Sequence, residues 1–81
     1  MSAEKIEKLV RMANQIGDYF RTLPDAEAVA GAADHLHRFW TPKMCREIVG
    51  FADAGGAGLN PIAARAVVAL KAQTNAASVQ K

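Results

Sequence analysis

The chain has 81 residues, ten Lys and Arg against eight Asp and Glu, a net charge of +2 and one cysteine. That length holds one domain rather than two, and a lone Cys45 excludes an intrachain disulfide. No run of about 18 apolar residues occurs, which excludes a membrane-spanning helix, and the basic residues run from Lys5 to Lys81 instead of clustering as in a nucleic-acid binder.

A domain this small buries only roughly 60% of the surface of its unfolded chain, so it commonly needs a staple. Disulfides are excluded, and His35, His37 and Cys45 are the only soft metal ligands. A partner is the staple that remains. A single thiol also suits a reducing compartment. The opening Met1-Ser2-Ala3-Glu4-Lys5-Ile6-Glu7-Lys8 alternates charges with no apolar stretch, unlike a secretory signal, so the expected location is cytoplasmic.

Three interruptions, around Pro24, at Thr41-Pro42 and from Gly55 to Pro61, divide the chain into four helical segments. The fold expected is an all-α compact bundle of about four short helices joined by tight Pro/Gly turns, with residues 1–72 as one domain and 73–81 as a polar, disordered tail. No segment alternates with period two, so no sheet is expected.

The first helix is predicted from about Ala3 to Arg21. Its apolar residues Ile6, Leu9, Val10, Met12, Ala13, Ile16, Tyr19 and Phe20 cover half its circumference, wider than one neighbour needs. The second, from Ala26 to about Phe39, has Asp25 as its cap and centres its apolar face on Val29, Ala33, Leu36 and Trp40. Glu27, Asp34 and Arg38 form its wet stripe.

The third helix runs from Pro42 to Ala54 behind a Thr41 cap and turns Met44, Ile48, Phe51 and Ala52 inward. Gly55 or Gly56 supplies the left-handed turn that closes it. The fourth starts at Pro61 behind an Asn60 cap and ends near Lys71, before the Ala, Asn, Ser and Gln tail.

Two features suggest an interface. Phe39 and Trp40 are adjacent, so on a helix they point about 100° apart. The pattern gives the core to Trp40, which is placed to staple onto Cys45, and leaves Phe39 on a shoulder lined by Ala28 and Ala32 or folded under the next loop. The fourth helix is apolar nearly all round, and four short helices are not expected to surround one of their number. Its Val67 and Val68 are therefore expected either at an exposed surface or beneath a partner.

Catalytic readings fare poorly. His35 and His37 are two apart on a helix and point opposite ways, unlike an i,i+4 metal pair. Cys45 falls on the apolar arc of the third helix, where a thiol is inert. Gly55-Gly56-Ala57-Gly58 follows a helix and lacks the Lys-Ser/Thr of a phosphate loop. A DNA-reading helix needs several basic residues on its outer face, and the third helix offers only Lys43 and Arg46 beside Glu47.

Three phrases stand out together. They are Lys8-Leu9-Val10-Arg11-Met12-Ala13-Asn14-Gln15-Ile16-Gly17-Asp18-Tyr19-Phe20, Ala33-Asp34-His35-Leu36-His37-Arg38-Phe39-Trp40-Thr41-Pro42-Lys43-Met44, and Asp53-Ala54-Gly55-Gly56-Ala57-Gly58-Leu59-Asn60-Pro61. In this order and spacing the chain resembles, over about residues 4–70, the delta subunit of bacterial NAD-dependent, molybdenum-containing formate dehydrogenase.

The resemblance implies a non-catalytic accessory chain that aids assembly, cofactor insertion or stability. It also implies a large alpha subunit that holds the molybdenum cofactor and iron–sulfur clusters and oxidises formate. The beta and gamma subunits would pass electrons through flavin and clusters to NAD. The family offers no catalytic residue to carry over, and the residues agree: one cysteine is too few for a cluster that normally needs four, and no dinucleotide fingerprint is present.

Arg38, Phe39, Trp40 and Pro42 match the family's most distinctive phrase. The candidate docking residues are therefore Phe39, Arg38 and Pro42, with Val67 and Val68 on the fourth helix. No cofactor, metal or nucleic-acid site is expected in this chain. The rival readings are a free-standing helical adaptor or chaperone for another client and a small DNA-binding module.

Overall fold

The structure is a computed structural model that describes the backbone of residues 2–79 and the side chains of residues 5–73. It contains α1 (Ser2–Phe20), α2 (Asp25–Phe39), α3 (Pro42–Asp53) and α4 (Pro61–Val79), with no strand among the described residues. The all-α bundle expected from the sequence is the fold observed.

Local chemistry accounts for most of the boundaries. Thr41 Oγ1 accepts the Met44 N–H at 3.1 Å, with Pro42 in the first turn of α3. Asn60 Oδ1 accepts the Ala63 N–H at 2.8 Å and opens α4 in the same way. At the end of α3 the Gly56 N–H reaches the Phe51 carbonyl at 3.0 Å and the Gly55 N–H reaches the Ala52 carbonyl at 3.1 Å. These are the paired bonds of a Schellman turn, and both glycines have positive φ, 130° and 64°.

Asp25 departs from its expected role. It is the first residue of α2, Pro24 holds the cap position, and no side chain closes that end. Asp25 instead lies 3.8 Å from Arg65 of α4. α4 also continues to Val79 instead of ending near Lys71. Residues 72–79 contain no Pro or Gly to stop it.

The packing of α4 leaves part of its apolar surface uncovered, as its all-round apolar sequence leads one to expect. α4 packs against all three others, most extensively against α2. Ala63, Ala66, Val67 and Leu70 on α4 and Ala28, Ala32, Ala33 and Leu36 on α2 are buried. Small side chains on both helices let the backbones approach closely, so one side of α4 is drawn into the core. Val68 stays 64% exposed on its outer edge.

Leu9, Ala13, Trp40, Cys45 and Ile48 complete the core. Each large apolar side chain buried there contributes roughly 1.5–3 kcal/mol. The ion pairs, such as Lys71 with Asp53 at 3.1 Å, are solvent-exposed and contribute at most about 1 kcal/mol each.

A polar latch fixes α1 against the loop that leads into α4. Asn14 Nδ2 donates to the Gly58 carbonyl at 2.9 Å, and Asn14 Oδ1 accepts the Asn60 N–H at 2.8 Å. Asn60 Nδ2 returns a bond to the Asn14 carbonyl at 3.2 Å and a longer one to Asp18 at 3.4 Å. Gly17 makes the approach possible, since a Cβ there would stand 2.9 Å from Asn60 Oδ1.

Candidate functional site

The end of α2 creates the most distinctive surface. Trp40 leaves the helical conformation (φ −88°, ψ 146°) after donating its N–H to the Leu36 carbonyl at 3.0 Å. Its side chain turns inward and is 7% exposed, whereas the adjacent Phe39 is 70% exposed. The sequence places Trp40 correctly. The shoulder of Phe39 is different: Ala28 and Ala32 are buried in the core, and the Phe39 ring lies against His35, with centroids 4.7 Å apart.

From His35 the contacts continue across to α1. His35 meets Phe20 edge-on at 6.4 Å, and Phe20 meets Tyr19 edge-on at 5.0 Å. Both distances lie in the favourable range for aromatic pairs. The inset of Phe20 depends on Gly31, where a Cβ would come within 2.7 Å of the ring. Tyr19, at one edge of the apolar half of the first helix, is 78% exposed because Phe20 takes the inward direction.

Tyr19, Phe20 and His35 line a groove of about 290 Å³ together with Met12, Gln15, Ile16 and Trp40. The walls are apolar and aromatic, with Gln15 and His35 the polar members. Such a surface suits a bulky apolar side chain from a partner, because aromatic rings and Met offer large contact area at modest cost in side-chain freedom.

Nucleophilic chemistry has little support in this geometry. Cys45 is buried, its Sγ donates to the Leu36 carbonyl at 3.7 Å, and burial pushes its thiol pKa up. A protonated, enclosed thiol is a poor nucleophile. Among the described residues no group of three or more His, Cys, Asp and Glu is placed to hold a metal ion. His35 is spent on its aromatic neighbours, and His37 is exposed.

Of the residues singled out from the sequence, Phe39 stands exposed beside the groove. Arg38 is exposed and holds Asp34 at 3.1 Å on the solvent stripe of α2. Pro42 is exposed at the start of α3. Val67 is a correction: it is 1% exposed and packed in the core, closed to any partner. Val68 is exposed but is not among the groove's lining residues. Sequence reasoning missed Tyr19, Met12, Phe20 and His35 as surface elements. The signal was available in Tyr19-Phe20, an adjacent aromatic pair that must diverge as Phe39-Trp40 does.

The family model of the NADH-dependent formate dehydrogenase delta subunit FdsD matches residues 8–67. The chain belongs to this family. No curated protein and no solved structure matches it.

The family's matched range contains every residue of the groove and of the Asn14–Asn60 latch, and it ends just before Val68. The three phrases that carried the resemblance meet in space. Asn14 and Asp18 of the first bond to Gly58 and Asn60 of the third. Phe20 of the first meets His35 of the second. As a delta subunit the chain is one component of a formate dehydrogenase. Among the described residues no helix is long and apolar enough to cross a membrane.

Proposed function

We propose that this chain is a non-catalytic accessory subunit of a cytoplasmic, molybdenum-containing, NAD-dependent formate dehydrogenase. It binds the catalytic alpha subunit, in a complex with the beta and gamma subunits, and aids assembly, cofactor insertion or stability. The molybdenum cofactor, iron–sulfur clusters and flavin reside in those partner subunits. The observation that carries the reading is the family match over residues 8–67.

Three features of the chain support it. Its one thiol is buried and its histidines are apart from any ligand cluster among the described residues. Its most distinctive surface is an apolar groove flanked by exposed aromatic rings, which is suited to another protein. Its hydrophobic core is small, so association with a large subunit would stabilise it by mass action.

The test is assembly of the dehydrogenase with and without this chain. The isolated chain should oxidise no formate and reduce no NAD. Enzyme assembled in its absence should be recovered in lower yield or with less molybdenum per alpha subunit. Equal yield, molybdenum content and stability with and without the chain would refute the accessory role.

A further inference from the structure

We draw no further inference here: the strongest candidate, the apolar groove between α1 and the end of α2 that the exposed Tyr19 and Phe39 rings flank, carries none, because nothing in the structure shows what covers it.

Discussion

Asn60 donates two hydrogen bonds to Asn14 across 46 residues of chain, from its N–H to Asn14 Oδ1 at 2.8 Å and from its Nδ2 to the Asn14 carbonyl at 3.2 Å. Asn60 also caps α4 through its Oδ1. One residue therefore starts the central helix with its side chain and ties it to α1 through both its backbone N–H and its Nδ2. Asn60→Ala keeps the backbone N–H bond to Asn14 but removes the cap and the Nδ2 bonds to α1, and should cost about 2 kcal/mol. For a domain of this size that lowers Tm by roughly 10 °C, measurable by thermal circular dichroism.

Glycines at two helical positions should respond to alanine with opposite signs. At Gly50 an added Cβ meets nothing within 4 Å, so Gly50→Ala gains helix propensity and should raise stability by about 0.5–1 kcal/mol. At Gly17 the Cβ would stand 2.9 Å from Asn60 Oδ1 and 3.2 Å from the Ala63 nitrogen. Gly17→Ala therefore disturbs the cap of α4 and should lower Tm despite the same propensity gain.

Much of this was legible from the sequence because it rests on local chemistry. Thr41-Pro42, Asn60-Pro61 and the Gly55-Gly56 pair each act within a few residues of themselves, and the structure uses each as expected. What depends on distant partners was not legible. The Asn14 side chain finds its acceptor and donor in a loop that periodicity does not place. α4 reads as apolar nearly all round, and which of its side chains enter the core, Val67 and not Val68, depends on its packing against the alanines of α2. Asp25 looks like a cap, yet Pro24 fills that position and its own carboxylate turns to Arg65. The groove was half visible: Trp40 and Phe39 diverge as adjacency demands, but their link to Tyr19 through Phe20 and His35 crosses two helices.

Neighbouring side chains should separate core from surface. Leu36→Ala and Val67→Ala remove side chains that are 1% exposed. Leu36→Ala should cost about 2–5 kcal/mol and Val67→Ala somewhat less, a large share of a small domain's stability. Phe39→Ala and Val68→Ala alter exposed side chains and should change stability by about 0.5 kcal/mol or less. Chemical denaturation of the four variants checks the division. An early midpoint for Phe39→Ala would mean that its ring belongs to the core.

Cys45 should give the fold a modest alkaline dependence. Burial raises the thiol pKa in the folded chain, while the unfolded chain ionises in the ordinary thiol range, about 8–9. The folded state then holds its proton as the unfolded state loses one. This contribution to stability is fully present below that range and is lost as pH rises through and above it. The stability difference between wild type and Cys45→Ala should therefore shrink between neutral and strongly alkaline pH. The native thiol should also react slowly with a thiol reagent until denaturant is added.

The central claim is that this chain acts as a subunit of a formate dehydrogenase, and one purification addresses it most directly. The full-length chain is tagged in its native cell, isolated under mild salt and run on a sizing column. The account predicts that formate-dependent NAD reduction and the catalytic subunit co-elute with the tag at a constant ratio. Elution of the chain at its own size, with the formate-oxidising activity in separate fractions, would contradict it.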